Sequence, residues 1–287
     1  MTTLILLALA GLCGQLVDGA LGMAFGITST SVLLASGIAP AAASQVVHLA
    51  ELGTTLTSGV AHWRFRNIDW RTVGLLALPG ALGGFTGAVL LSGLSAAAAK
   101  PVISGILVGL GLLILLRSLR PRAPRALRPI KARGLIPLGL SAGFLDALGG
   151  GGWGPMGTST LLASGRMAPR KVVGSVCASE FLVTLGVSAG FLVGLGHAGV
   201  NLAWAGALLA GGAVAAPFAA WTANRLPAGV LASGVGGLIV LTNAGAVLDG
   251  IGVPDAGQHA LYAAIVATSA VALALAVKGS RASSATA

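Results

Sequence analysis

Apolar residues run through this chain in stretches of about twenty or more, separated by short polar, glycine-rich or proline-rich breaks. The stretches cover about residues 3–37, 41–62, 70–92 and 97–116, then 134–165, 170–195, 199–224 and 228–248, with a last one at about 258–277. A spanning helix needs about 20 apolar residues to cross the hydrocarbon core, so seven of these segments predict simple membrane crossings. Segments 3–37 and 134–165 are longer, and each is interrupted near its middle.

The chain also repeats itself. Leu33-Leu34-Ala35-Ser36-Gly37 recurs as Leu161-Leu162-Ala163-Ser164-Gly165, and the same register lays Asp18 on Asp146. With one inserted residue, Pro40 falls on Pro169, Glu51 on Glu180 and Thr55 on Thr184, and Asn67-x-x-Trp70 then matches Asn201-x-x-Trp204. A colinear series of this kind, with rare acids inside apolar segments, predicts a duplicated unit. Copy one covers 1–116 and copy two 134–248, with a basic linker at 117–133 and a tail at 249–287 carrying the last span.

The interruptions read Asp18-Gly19-Ala20-Leu21-Gly22-Met23-Ala24-Phe25-Gly26 and Asp146-Ala147-Leu148-Gly149-Gly150-Gly151-Gly152-Trp153-Gly154-Pro155. Consecutive glycines followed by proline do not continue a helix. Each long segment is then a broken span or a re-entrant hairpin, and the charges choose between the two. If all nine segments cross, ten basic residues stand on one side against seven on the other. If the two broken segments are hairpins, every basic residue except Lys100 lies on one side, sixteen against one. Positive charge gathers in cytoplasmic loops, so the hairpins are expected, with the amino terminus, Asp249 and Asp255 outside and the C-terminus cytoplasmic. Each copy is then a hairpin plus three spans, an odd number of crossings, and the second copy enters from the opposite face. The fold class predicted is an all-α integral membrane protein of two inverted-topology repeats, each a re-entrant broken-helix hairpin plus three transmembrane helices, with one extra C-terminal helix. Such architecture suits alternating access around a site near the midplane.

Of seven acids, Asp18, Glu51, Asp146 and Glu180 occupy equivalent intramembrane positions. An ionisable group there costs about 2.5–3.5 kcal/mol on insertion scales, so these four call for a function, whereas Asp69, Asp249 and Asp255 lie in loops. Ser44, His48, Glu51, Thr55, Ser58 and His62 follow three-or-four spacing and draw a polar stripe along one helix. His48 and Glu51 are close enough to share a proton, which marks them, with Asp18, Asp146 and Glu180, as coupling or gating candidates. The same acids could instead serve as structural hydrogen-bonding groups, and Asp18 and Asp146 could cap half-helices or coordinate Na⁺. Beyond each break a short helix begins, whose unpaired N–H groups and positive dipole end favour an anion. The substrate-binding candidates are Gly22, Phe25, Gly26, Thr28, Ser29 and Thr30 in copy one, and Gly151, Gly152, Trp153, Gly154, Met156, Thr158 and Ser159 in copy two. The competing reading of these glycines is close helix packing through small residues.

Composition narrows the function classes. The chain is 55% hydrophobic and 8% charged, with mean hydropathy +0.94, which excludes a soluble domain. The net charge of +10 does not indicate nucleic acid, because seven of 17 basic residues fall between Arg117 and Arg133 in one proline-bearing loop. Cys13 and Cys177 are not equivalent in the repeat and imply neither a disulfide framework nor a metal site. Residues 1–14 lack a basic leader region and are expected to be the first membrane segment rather than a removed signal. Trp63, Trp70 and Trp204 stand near span ends as interfacial anchors. No enzyme signature, nucleotide loop or cofactor motif is present, so no cofactor is expected.

The stretch Gln15-Leu16-Val17-Asp18-Gly19-Ala20-Leu21-Gly22-Met23-Ala24-Phe25-Gly26, with His48-Leu49-Ala50-Glu51 and the loop His62-Trp63-Arg64-Phe65-Arg66-Asn67-Ile68-Asp69-Trp70-Arg71, resembles the sulfite exporter TauE/SafE family of membrane permeases. The glycine run of copy two, Gly149 to Gly154 broken by Trp153 and followed by Pro155, looks like that family's glycine-rich hairpin. The resemblance covers about residues 11–248; copy one departs from it, with Met23-Ala24 where copy two has Gly151-Gly152. It implies a bacterial inner-membrane transporter of small sulfur-containing anions such as sulfite or sulfonates, driven by protons. The expected partners are that anion, protons or Na⁺, and the lipid bilayer, without nucleic acid; a homo-oligomer is left open. The rival expectation is a cation or metal-ion transporter using Asp18, Asp146, Glu51 and Glu180 as ligands.

Overall fold

The computed structural model describes residues 2–21, 25–118, 130–164, 166–196, 201–223 and 228–285. Gly22 and most of the basic linker lie outside these. The described residues form helices without a strand: α1 Thr2–Leu21, α2 Phe25–Ala35, α3 Pro40–Arg64, α4 Trp70–Ser92, α5 Ala96–Ser118, α6 Ala132–Gly149, a π-helical turn Trp153–Thr158, α7 Ser159–Ser164, α8 Pro169–Leu195, α9 Leu202–Ala223, α10 Ala228–Gly250 and α11 Asp255–Ala285. Stretches Trp70–Ser92, Ala96–Leu116, Lys171–Leu195 and Gly257–Leu275 are long and apolar enough to cross a membrane. The chain is a multi-pass membrane protein.

The breaks fall where glycine was expected to end a helix. Gly150 closes α6 at φ 65°, a left-handed conformation that glycine adopts without strain, and its N–H returns to the Asp146 carbonyl. The two Asn-x-x-Trp segments each precede a helix, but the capping residue differs between them. Asp69 accepts from the Thr72 N–H at 2.8 Å ahead of α4, and Asn201 accepts from the Trp204 N–H at 3.0 Å ahead of α9.

Contacts along the helices fix their directions. Gly139 meets Leu76, Gly143 meets Gly80, and Gly87 meets Phe144 and Ala147, so α4 and α6 run parallel. Gly186 meets Ala81, Gly190 meets Phe85 and Ala88, and Gly194 meets Ser92, so α8 also runs parallel to α4. Where a Cβ on Gly143 would collide with the Gly80 backbone, only glycine allows so close an approach. Because α6 and α8 point the same way and both begin beside the start of α4, the π-turn and α7 must carry the chain back. In copy one the chain likewise doubles back, since Gly14 of α1 packs against Phe25 and Ser29 of α2.

The equivalent helices of the two copies pack in opposite directions. On α3 and α8, His48 faces Phe191, Gly59 faces Ala178, and Asn67 just beyond α3 touches Gly174. Thr55 and its repeat partner Thr184 sit near the centre of that antiparallel crossing. On α5 and α10, Gly250 meets Pro101, Gly111 meets Ile239 and Val240, and Gly236 meets Leu115. The last helix, α11, touches α10 through Ser269 and Tyr262 and is otherwise mostly exposed.

Candidate functional site

The two breaks meet. A Cβ on Gly26 would collide with the Gly150 carbonyl, one on Gly151 would collide with the Ile27 backbone, and the Thr30 side chain lies against Gly150. Beside this contact is a cavity of about 40 Å³, lined by Asp18, Phe25, Gly26, Glu51, Thr54, Thr55, Gly151, Gly154 and Glu180. One water needs about 10–15 Å³ of such space, so the cavity in this conformation has room for roughly three waters. Both tips, α3 and α8 contribute to it, and three of the four intramembrane acids reach it.

Asp18 and Asp146 cap the second half-helices. The Phe25 N–H donates to Asp18 Oδ1 at 3.3 Å, and the Trp153 N–H donates to Asp146 Oδ1 at 2.9 Å. Both bonds span seven residues, so the duplicated aspartate and the aromatic after each break form one repeated device. Each acid satisfies a donor that the broken helix leaves unpaired. The first N–H of each tip is thus held by the protein's own carboxylate; in the second tip Pro155 carries no N–H and the Met156 N–H returns to the Gly152 carbonyl at 3.1 Å, so fewer donors face the cavity there than in the first.

The fourth acid is set behind the cavity, where it joins the copies. Asp146 Oδ2 lies 3.1 Å from His48 Nε2, and Glu51 Oε2 lies 3.9 Å from the same nitrogen. All three residues are buried. His48 Nδ1 is 2.7 Å from the Ser44 carbonyl one turn back on α3, and the Ser44 hydroxyl donates to the Ala147 carbonyl. One ligand atom from each of His48, Glu51 and Asp146 falls within 4.8 Å of the others, a donor set able to hold a divalent cation.

Phe25, Gly26, Gly151 and Gly154 of the expected substrate residues line the cavity. Thr28, Ser29 and Thr30 stand deeper in α2, buried, and their hydroxyls make no hydrogen bond. Gly152 packs against Ala142, Leu145 and Asp146 inside its own hairpin. Trp153 is a packing element: its ring rests on Gly80 of α4, and its Nε1–H donates to the Val176 carbonyl at 3.2 Å. Met156, Thr158 and Ser159 continue the π-turn and the start of α7 away from the lining. Thr54, a cavity residue that sequence reading missed, stands three positions beyond Glu51, where helical spacing alone could have found it. The partnership of His48 with Asp146 crosses 98 residues, and no local signal announces it.

The chain matches the family model described as Sulfite exporter TauE/SafE over residues 7–246. It is 46% identical over 286 residues to the Bacillus subtilis (strain 168) protein named Probable membrane transporter protein YtnM, with 98% of this chain and 95% of the relative covered. No solved structure matches.

Proposed function

The chain belongs to the sulfite exporter TauE/SafE family and is a membrane transporter, and from that premise we propose that it moves a small sulfur-containing anion, sulfite or a sulfonate, by proton-coupled alternating access. The observation that carries this reading is the cavity where the two tips meet, lined by Phe25, Gly26, Gly151 and Gly154 together with Glu51 and Glu180. The half-helices α2 and Trp153–Thr158 begin there, and their remaining N–H groups and dipole ends favour an oxyanion. No Lys or Arg occurs from Met1 to Trp63, from Gly134 to Gly165 or from Val172 to Asn224, the stretches that supply the cavity lining, so dipoles and neutral donors hold the anion.

Carboxylates in the same lining repel an anion strongly in a low dielectric, so anion entry is linked to proton loading of Glu180 and Glu51. That linkage is the coupling. The antiparallel packing of α3 on α8 and of α5 on α10 supports two inverted repeats of about 1–116 and 134–248, the arrangement that rocks between inward and outward access. A cavity large enough for about three waters fits a closed stage of that cycle. The inner membrane, with the C-terminus cytoplasmic, is the proposed location.

Purified protein in proteoliposomes tests the reading. Sulfite or short alkane sulfonates inside the vesicles should accelerate uptake of labelled sulfite, and an inward proton gradient should drive accumulation. Glu180→Gln should abolish gradient-driven uptake while sparing exchange. Counterflow by no sulfur oxyanion, with accumulation of a cation instead, would overturn the anion assignment; driven uptake unchanged in Glu180→Gln would remove that residue from coupling.

A further inference from the structure

The cluster of His48, Glu51 and Asp146 has a feature that anion transport does not explain. The His48 Nδ1 faces the Ser44 carbonyl at 2.7 Å, and a carbonyl only accepts, so Nδ1 carries the proton. In the neutral ring the Nε2 lone pair then points at Asp146 Oδ2, 3.1 Å away, so two acceptors face each other in a buried space. Glu51 Oε2 stands 3.9 Å from the same nitrogen, is buried and has no hydrogen-bond partner. With both carboxyls ionised, three acceptors converge here, and either a shared proton or a bound cation must bridge them.

We infer that His48 Nε2, Glu51 Oε2 and Asp146 Oδ2 form a three-ligand site for a borderline divalent cation of the Zn²⁺ or Co²⁺ class. One imidazole and two carboxylates are a donor set such ions accept, with bonds of about 2.0–2.2 Å. Tetrahedral bonds of that length separate donors by about 3.4 Å, and the edges of 3.1 and 3.9 Å from Nε2 bracket that value. The Ser44 carbonyl supplies the outer-shell acceptor that fixes the tautomer of a metal-binding histidine. Two carboxylates also neutralise a divalent charge within the membrane, and Glu51 lines the cavity as well as the cluster.

The site joins the copies. His48 and Glu51 belong to α3 of copy one, whereas Asp146 belongs to α6 of copy two, where its other oxygen holds the Trp153 N–H. A bound cation therefore ties the second tip to α3 and stops the two copies from moving against each other. Among the described residues no second cluster of this kind occurs, and Cys177 stands where copy one has His48.

Co²⁺ added to the purified full-length protein in nanodiscs should bind once per chain and give a visible ligand-field band. Zn²⁺ should displace it and should arrest sulfite exchange in proteoliposomes. His48→Gln and Asp146→Asn should each weaken Co²⁺ binding by at least the roughly 10- to 100-fold that loss of an orienting partner alone costs. His259→Gln, which removes an exposed histidine on α11, should bind as the parent does. Should His48→Gln fail to fold, His48→Cys supplies a softer ligand and should shift preference toward Cd²⁺. Absence of stoichiometric Co²⁺ binding, or binding indifferent to His48 and Asp146, would sink the site and leave anion transport standing. Binding without arrest of exchange would refute the lock between the copies.

Discussion

Asp146 works with both oxygens: Oδ1 accepts the Trp153 N–H and Oδ2 meets His48. Asp18 performs the same capping task on the Phe25 N–H, while the position matching His48 on the facing helix is Cys177. The two aspartates therefore differ in what their loss leaves behind. Asp18→Ala should cost about what a lost helix cap costs, ~0.5–2 kcal/mol. Asp146→Ala also strips the buried His48 of the group that shares its proton or cation, which adds about 1–3 kcal/mol. Thermal unfolding of the two variants in one detergent should rank Asp146→Ala clearly below Asp18→Ala; equal midpoints would mean that the His48 contact contributes nothing. Gly26 has a separate sensitivity, because a methyl there meets both the Gly150 carbonyl and Glu51 Oε1. Overpacking of this kind costs about 1–3 kcal/mol, and here it pushes the tips apart. Gly26→Ala should abolish counterflow while still reaching the membrane, as surface biotinylation and uptake in the same cells would report.

At the scale of elements, the crossing of α3 and α8 organises the molecule. His48 faces Phe191 and Gly59 faces Ala178, so the two repeat-equivalent helices cross near Thr55 and Thr184, beside the cavity. If the copies move against each other, this crossing must slide or tilt. A Gly59→Cys, Ala178→Cys pair, made with Cys13 and Cys177 replaced by serine, should be joined by a short bis-thiol linker that halts exchange. A Cβ added at Gly59 would lie 3.7 Å from the Ala178 Cα, which puts the two thiols within reach of such a linker. Exchange at the parental rate through a fully formed bridge would show that this crossing stays rigid. Much of this element order is legible in the sequence. Glycines after Asp18 and Asp146, with Pro155 in copy two, announce the breaks, the Asn-x-x-Trp motif announces the Asn201 cap of α9 but not the Asp69 cap of α4, and three-or-four spacing puts His48, Glu51 and Thr55 on one face of α3. The contacts between copies are not legible: sequence periodicity says which face of α3 is polar, but not that Asp146 would meet it or that Trp153 would turn into helix packing. Those depend on how two breaks interlock, a tertiary fact without a local sequence signal.

At the scale of the whole molecule, the arrangement of charge decides which end faces the cytoplasm. The Lys171 ammonium donates to the carbonyls of Arg66 and Ile68 at 2.9 and 3.0 Å, and the Asp69 N–H donates to the Ser175 hydroxyl at 2.8 Å. The turn between α3 and α4 and the start of α8 therefore share one end, which brings Arg64, Arg66, Arg71 and Arg166 together. Helices α6 and α8 both begin at that end, so Lys131 and Arg133 at the start of α6 stand there too. The turn between α4 and α5 lies at the far end, since α4 is a single helix of 23 residues, about 35 Å long. Positive charge gathered at one end predicts that this end is cytoplasmic. In a background without native cysteines, Arg66→Cys and Arg166→Cys should both react with a membrane-impermeant maleimide only after the cells are opened, whereas Ser95→Cys should react in intact cells. Labelling of Arg66→Cys and Arg166→Cys from opposite sides would mean that segment 134–165 crosses the bilayer instead of returning. In that case α3 and α8 would enter from the same face, and the inverted relation on which alternating access rests would fail.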